Sequence, residues 1–204
     1  MNYLPVLQLG SPLSYLLAFL LPALDAILPI VPSETAVVAL GVATAASTDP
    51  RIAVLVLLAA LGAFLGDNLS YLLGRHFGPA VNRRFFSDEK GSKRQAWAAR
   101  SLDRYGARLI VLCRFLPGGR TAVTLSCGLL RYHHRRFMAA TAVAGLLWAS
   151  YAFFVGRLGG KAFESRPWAG FLFSFGTIFA LSALVELLRR GLGWWQRSRA
   201  KQRP

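Results

Sequence analysis

Two arginines, Arg114 and Arg120, lie within an apolar run of the sequence. The run is Leu109-Ile-Val-Leu-Cys-Arg-Phe-Leu-Pro-Gly-Gly-Arg-Thr-Ala-Val-Thr-Leu-Ser-Cys-Gly-Leu-Leu130. Pro117-Gly118-Gly119 lies between the two arginines and breaks any continuous helix, because proline lacks a backbone donor and glycine is a poor helix former. An arginine at the centre of a bilayer costs about 2.5 to 3.5 kcal/mol on insertion scales. The two arginines therefore predict a nearby anion, supplied by the protein or by a substrate.

Composition indicates that the chain is a membrane protein. Of its 204 residues, 54% are apolar and only 16% are charged, and the mean hydropathy is +0.43. These values predict an all-α integral membrane protein with a single polytopic domain. The net charge of +15 does not indicate nucleic-acid binding, because the basic residues lie between apolar runs and are not interleaved with exposed aromatic residues.

Three apolar stretches have close to the ~20 residues that a helix needs to cross a bilayer, and they are 52–73, 137–155 and 168–188. Two further apolar regions, 13–46 and 107–130, are broken by Pro29 with Pro32 and by Pro117. Irregular backbone at membrane depth survives only where protein or water satisfies its amides. We therefore expect two opposed re-entrant helical hairpins, with a kinked full crossing of each region as the alternative.

The basic residues predict the orientation of these segments. Lysine and arginine number nine in 75–108, three in 131–136 and six in 189–204, against four at Arg51 and in 157–166. The positive-inside rule then places the first three groups, including the basic C-terminal tail, in the cytoplasm.

The remaining segments are expected to lie outside the bilayer core or at its surface. Segment 87–106 has Ser92 and Gln95 at capping-box spacing and aromatic residues among basic ones, which predicts a helix on the cytoplasmic interface. The N-terminal segment, 1–12, lacks the basic start of a signal peptide, so we expect it to be retained in the mature protein.

A short internal repeat predicts how the two halves are related. Gly74-Arg75-x-x-Gly78 recurs as Gly156-Arg157-x-x-Gly160, 82 residues later. The same offset sets Pro32-Ser33-Glu34 opposite Arg114-Phe115-Leu116. Because the two halves would have opposite orientations in the membrane, the repeat would be an inverted one, as in many transporters.

Three carboxylates lie in or beside the membrane segments, and they are Asp25, Glu34 and Asp67. A structural role for them is pairing with the arginines or, for Glu34, capping a half-helix. A functional role is proton exchange, because desolvation favours the neutral carboxyl whereas a nearby arginine favours the charged one. Both roles can coexist in one cluster.

The arginines have a functional interpretation of their own. They remain charged and can hold a phosphate through parallel hydrogen bonds, so we expect an anionic head group to bind at Arg114 and Arg120, beside Gly118 and Gly119. Pairing with protein carboxylates alone is the structural alternative. Nothing in the sequence predicts a metal site, a cofactor or a catalytic pair, and we do not expect an enzyme. Cys113 and Cys127 are expected to be packed thiols, and His133 and His134 to be solvated.

A resemblance to a known family is carried by motifs between about residues 20 and 165. They are Asp25-Ala-Ile-Leu-Pro29-Ile-Val-Pro32-Ser33-Glu34, Gly66-Asp67-x-x-x-Tyr71-x-x-Gly74-Arg75-x-x-Gly78, Tyr105-Gly106, Arg114-Phe115-x-Pro117-Gly118-x-Arg120, Gly128 and Phe137. In this order and combination they resemble the DedA family, also called SNARE-associated or VTT-domain membrane proteins.

The resemblance implies two opposed re-entrant hairpins. Bacterial members of the family are implicated in proton-dependent return of undecaprenyl phosphate across the plasma membrane, and eukaryotic relatives scramble phospholipids. Arg114 and Arg120 match the family's paired arginines with the spacing preserved. Asp25 stands where the family usually has glutamate, which shortens the reach of that acid by one methylene.

These observations together predict a multi-pass lipid transporter of the bacterial inner membrane, acting in the cell envelope with a phosphate-bearing lipid and protons as its partners. Its C-terminus would be cytoplasmic. An energy-independent phospholipid scramblase and a structural or assembly membrane protein are the alternatives. The sequence leaves open the lipid, the direction of transport and the oligomeric state, with a homo-oligomer among the options.

Overall fold

The structure is a computed structural model that describes residues 11–28, 33–78, 80, 83, 87–114, 119–163, 169, 171–174, 176–177 and 180. Every regular element in these residues is an α-helix, as expected for an all-α protein. The helices, numbered in chain order, are α1 (Pro12–Asp25), α2 (Ser33–Ala43), α3 (Arg51–His76), α4 (Glu89–Tyr105), α5 (Ala107–Cys113), α6 (Gly119–Leu129) and α7 (His134–Ala162).

Two helices, α3 and α7, are long enough and apolar enough to cross a membrane. With 26 and 29 residues they extend about 39 and 44 Å at a rise of 1.5 Å per residue. They coincide with the predicted crossings 52–73 and 137–155. The third, 168–188, lies largely outside the described residues. Its Ser174 donates a hydrogen bond of 3.0 Å to the Val155 carbonyl oxygen of α7.

The surface of α3 is the inverse of that of a helix in a water-soluble protein. Its exposed side is a stripe of large apolar side chains, 37 to 58% exposed: Val54, Leu57, Leu61, Leu65, Leu69 and Leu72. Apart from the large residues Leu55 and Tyr71, its buried side carries small or polar residues: Ala59, Gly62, Ala63, Gly66, Asp67, Ser70 and Gly74. Lipid tails solvate leucine as well as a protein core does, so membrane helices pack through small and polar residues instead. The pattern indicates that this leucine stripe faces lipid.

Glycines bring α3 and α6 into close backbone contact. A Cβ atom on Gly74 would lie 2.3 Å from the carbonyl oxygen of Leu125, and one on Gly128 would lie 2.0 Å from that of Tyr71. Real side chains do not tolerate such distances to a backbone atom. Both positions therefore require glycine for the helices to cross as they do.

The crossing of α2 with α7 has the same construction. A Cβ atom on Gly156 would lie 2.4 Å from the carbonyl oxygen of Val38, and one on Gly41 would lie 2.5 Å from that of Phe153. The glycines of the two long helices, at 74 and 156, are 82 residues apart, and those of the two short helices, at 41 and 128, are 87 apart. The glycines of the two long helices thus keep the offset of 82, and those of the two short helices do not.

The helix α1 runs parallel to α3. Gly62 of α3 approaches the backbone of Phe19, and Gly66, one turn later, approaches that of Ala23, so the two helices run in the same direction. With 14 residues α1 extends about 21 Å, and α2 with 11 residues about 17 Å. Each is shorter than the ~30 Å hydrocarbon core of a bilayer.

The helix α2 runs opposite to α1. Gly145 of α7 approaches Ala60 of α3, whereas His134, at the start of α7, contacts Asn68, so α7 is antiparallel to α3. The glycine contacts of α2 show it parallel to α7. A single kinked crossing would continue in one direction, so the geometry does not fit the kinked-crossing alternative for 13–46. The breaking residues Pro29, Pro32, Pro117 and Gly118 lie outside the described residues.

The helix α4 begins at Glu89, inside the predicted segment 87–106 and upstream of the proposed capping box. Asp88 caps it by accepting a hydrogen bond of 2.8 Å from the Gly91 backbone N–H, and Glu89 lies in the first turn. The capping box proposed at Ser92 and Gln95 is therefore wrong, because an acceptor was available four residues upstream. The helix ends at Gly106, whose positive φ of 53° allows α5 to start at once in a new direction.

Candidate functional site

Arg114 and Arg120 share one carboxylate, that of Asp67. Nη1 of Arg114 donates to Oδ2 of Asp67 and Nε of Arg120 donates to Oδ1, each at 2.7 Å. The side chains of Arg114 and Asp67 are both 2% exposed and that of Arg120 is 11% exposed. Asp67 lies about nine residues, or ~14 Å, before the end of α3. The ionic cluster is thus inside the apolar part of a crossing helix.

The ends of four short helices meet at this cluster. Asp25 is the last residue of α1 and Ser33 the first of α2, while Arg114 directly follows α5 and Arg120 is the second residue of α6. The N-terminal ends of α2 and α6 carry the positive ends of their helix dipoles. The C-terminal ends of α1 and α5 bring negative dipole ends to the same place, so the four dipoles largely offset one another and the arginines account for the preference for an anion.

Arg120 uses all three of its nitrogens within the protein. Besides the bond to Asp67, its Nη1 donates to Oδ2 of Asp25 at 3.1 Å. Its Nη2 lies 3.4 Å from the carbonyl oxygen of Pro22 and 3.5 Å from that of Ala63. These contacts connect α6 to both α1 and α3.

Arg114 uses only one nitrogen in this way. Its Nε and Nη2 are buried and have no hydrogen-bond partner in the part of the chain that the structure describes. These two atoms form the side-on pair of donors that binds carboxylate or phosphate with two parallel bonds, and we call them the Arg114 fork. The guanidinium carbon lies 4.8 Å from the ring centroid of Trp148, which covers one face of the group.

Asp25 and Glu34 complete the acidic side of the cluster. Oδ2 of Asp25 accepts a hydrogen bond of 2.7 Å from the Ser33 hydroxyl as well as the bond from Arg120. Glu34 is exposed and lies within hydrogen-bonding distance of the Trp148 indole N–H. It is also close enough to Asp25 for the two carboxylates to repel each other. Two arginines balance Asp25 and Asp67, and Glu34 adds one further negative charge when it is ionised.

The structure brings together most of the residues that the sequence singled out. Arg114, Arg120, Asp67 and Asp25 form one bonded cluster, and Glu34 lies at its edge. Gly119 is the first residue of α6 and adjoins Arg120. The pairing of arginines with acids, expected as the structural interpretation, is therefore present. Whether a phosphate binds here stays a prediction.

Two residues of the cluster were missed in the sequence. Trp148 lies in the apolar run of α7, and nothing in that run distinguishes it from a tryptophan that faces lipid. Ser33 was considered only as a cap for α2. Apart from its neighbours, the position of Trp148 was a weak signal, because it is near the middle of a crossing, where tryptophan is less expected than at the membrane interface.

A second polar network lies near the start of α7. Nε2 of His134 is 3.1 Å from the side-chain oxygen of Asn68, and its ring stacks on Tyr71 with 4.7 Å between centroids. The Tyr71 hydroxyl donates to the carbonyl oxygen of Tyr132 at 2.7 Å and accepts from Arg75 at 3.2 Å. Of the two histidines expected to be solvated, His133 is exposed, whereas His134 is half-buried because it packs on Tyr71 and bonds to Asn68.

Both cysteines are free and buried, Cys113 1% and Cys127 0% exposed, which agrees with packed thiols. In the described residues no group of three or more histidine, cysteine, aspartate or glutamate side chains has the arrangement of a metal site.

The fold and the buried ionic cluster define an α-helical integral membrane protein with a polar site between short helices. Comparison with known proteins gives its family. The VTT domain matches residues 31–158, which include all the short helices except α1. The chain belongs to the VTT-domain family of membrane proteins, the DedA family.

Relatives in bacteria agree with this assignment. The chain is 27% identical over 154 residues to inner membrane protein YohD of Escherichia coli, covering 76% of this chain and 78% of that protein. It is 32% identical over 157 residues to an uncharacterized membrane protein of Mycobacterium leprae, covering 71% and 68%. Protein DedA of Escherichia coli is 26% identical over 125 residues, covering 59% and 55%. No solved structure matches this chain.

Proposed function

We propose that this protein is a lipid transporter of the bacterial inner membrane that moves a phosphate-bearing lipid, undecaprenyl phosphate or one similar to it, across the bilayer. The observation that carries the proposal is the Arg114 fork, a pair of buried donors left unpartnered among the described residues. A buried donor without an acceptor costs about 1 to 3 kcal/mol, and more when it is charged. A ligand phosphate would remove that cost.

The charges of the cluster support coupling of transport to protons. Arg114 and Arg120 are already balanced by Asp25 and Asp67. A phosphate would add one or two negative charges, and two like charges 4 Å apart repel by about 4 kcal/mol at an effective dielectric constant of 20. Protonation of Asp25, Glu34 or Asp67 relieves this repulsion, so binding of the phosphate and uptake of a proton favour each other.

The helix directions support an architecture suited to this task. We propose that α1 with α2, and α5 with α6, are re-entrant hairpins entering from opposite sides, related as an inverted repeat. The equivalent glycine crossings of α2 with α7 and of α6 with α3 are the support for this relation. The head group would enter the polar site where the hairpins meet while the hydrocarbon tail stays in the bilayer, so a chain of this size suffices.

Reconstitution into liposomes tests the function. The purified protein is assayed for transfer of undecaprenyl phosphate and, in parallel, of phosphatidylcholine and phosphatidylglycerol, with and without a pH gradient of either sign. We expect transfer of the polyprenyl phosphate that the gradient accelerates, and no such acceleration in Asp25→Asn or Glu34→Gln proteins. Equal, gradient-independent transfer of all three lipids would instead identify a scramblase, and no transfer would support a structural role.

A further inference from the structure

The two arginines of the site differ in how many of their guanidinium nitrogens have hydrogen-bond partners within the protein. We propose that Arg114 alone binds the phosphate, through its Nε and Nη2 atoms, and that Arg120 is a positioning residue that holds the cluster together. This inference rests on the proposed function, and it divides a pair that the sequence presents as equivalent.

Arg120 has little capacity left for a ligand. Its Nε and Nη1 bond to the two carboxylates, and its Nη2 faces two backbone carbonyl oxygens. To bind a phosphate with two bonds it would have to release Asp67 or Asp25. Those bonds also join α6 to α1 and α3, so their loss would loosen the helix ends that form the site.

Arg114 is prepared for a ligand in three respects. Asp67 fixes Nη1, which sets the position of the guanidinium group, and Trp148 fixes its plane. The remaining edge is the fork, whose parallel donors match two oxygens of one phosphate. The side chain is 2% exposed, so an anion that displaces the groups covering the fork meets it without competing water.

Charge-matched variants separate the two roles. Asp25→Asn is combined either with Arg114→Gln or with Arg120→Gln, so both proteins keep the same cluster charge and differ only in which arginine remains. The probe is farnesyl phosphate, a short polyprenyl phosphate, titrated into detergent-solubilised protein. Thermal unfolding of each protein is measured in the absence of the probe.

We expect Arg114→Gln/Asp25→Asn to bind the probe at least about tenfold more weakly than Asp25→Asn alone, because two charge-assisted hydrogen bonds are lost. We expect Arg120→Gln/Asp25→Asn to bind the probe more weakly than Asp25→Asn, because the helix ends are loosened, but at least about threefold more tightly than the Arg114→Gln double variant, and to unfold at a lower temperature than that variant. Arg114→Lys, which keeps the charge without the fork, should be as folded as the wild-type protein and should also bind weakly.

Two results would overturn the division of roles: equal loss of binding in the two double variants while both stay folded, or unimpaired binding in Arg114→Lys. Failure of the proposed function gives a different result, since the folded wild-type protein would then show no binding of farnesyl phosphate above that of farnesol.

Discussion

Nη1 of Arg114 lies 2.7 Å from Oδ2 of Asp67, and each of the two side chains is 2% exposed. Removing two charges from water costs several kcal/mol per ion, and a buried pair often stabilises a fold no more than apolar residues of the same volume would. A gain in stability therefore does not explain well why this ion pair is buried. The pair lies where four helix ends meet, and there it orients the Arg114 fork within the membrane.

Breaking this shared carboxylate should destabilise the protein strongly. Asp67→Asn leaves Arg114 without a bonded carboxylate and Arg120 with Asp25 alone, and loss of one partner of a buried pair costs about 3 to 5 kcal/mol. The matched control is Asp49→Asn, which removes the exposed partner of Arg51, 3.9 Å away, in a pair worth at most about 1 kcal/mol. Equilibrium unfolding in detergent measures both. Similar stabilities of the two variants would show that the buried pair contributes no more than a surface pair.

The glycine crossings should be intolerant of a single methyl group. Gly74→Ala forces its Cβ atom to 2.3 Å from the Leu125 carbonyl oxygen, so α3 and α6 must move apart, and overpacking of this kind costs about 1 to 3 kcal/mol or more. Gly176→Ala is the control, because a Cβ atom there meets nothing within 4 Å. The melting temperature, measured by size-exclusion chromatography of heated samples, should fall for Gly74→Ala and stay unchanged for Gly176→Ala. A normal melting temperature for Gly74→Ala would mean that the helices are not in backbone contact.

Trp148 should contribute to phosphate binding through its contact with Arg114. Trp148→Leu removes both the ring face and the indole N–H, and Trp148→Phe removes the N–H while leaving a weaker aromatic face. A cation–π contact of 0.5 to 2 kcal/mol predicts a loss of farnesyl phosphate affinity of about 2- to 30-fold for the leucine variant and less for phenylalanine. Tyr105→Leu, which removes the exposed ring beside Arg104, is the control and should bind normally. The contact has no role in binding if the Trp148→Leu protein matches this control.

The membrane orientation can be tested with thiol labelling of intact bacterial cells. Thr48 and Ser92 are exposed and lie beyond opposite ends of α3, and both native cysteines are buried. The distribution of basic residues predicts that Thr48→Cys is periplasmic and Ser92→Cys cytoplasmic. A membrane-impermeant maleimide should therefore label Thr48→Cys in intact cells and Ser92→Cys only after permeabilisation. The reverse pattern would invert the predicted topology.

The sequence was sufficient to predict the kind of structure and the charged members of the cluster. The lengths of the apolar runs predicted α3 and α7, and the cost of burying charge predicted an anion beside Arg114 and Arg120, which the structure supplies as protein carboxylates. These predictions depend on local composition and on solvation. Both can be evaluated without knowing how the helices pack.

What the sequence could not give is the pairing within the cluster. The partners of the three bonds are 47, 53 and 95 residues apart in the chain, and no periodicity connects them. The sharing of Asp67, the free edge of Arg114 and the cover provided by Trp148 are consequences of how helices cross. For the same reason the sequence could not show that the glycines of the two short helices at their crossings are 87 rather than 82 residues apart.

A structure of the protein with undecaprenyl phosphate bound would show which atoms hold the phosphate. We expect phosphate oxygens about 2.7 to 2.9 Å from Nε and Nη2 of Arg114, with Arg120 still bonded to Asp25 or Asp67. A lipid phosphate bound elsewhere, with the Arg114 fork bonded to a group of the protein itself, would show that the fork is not the phosphate site.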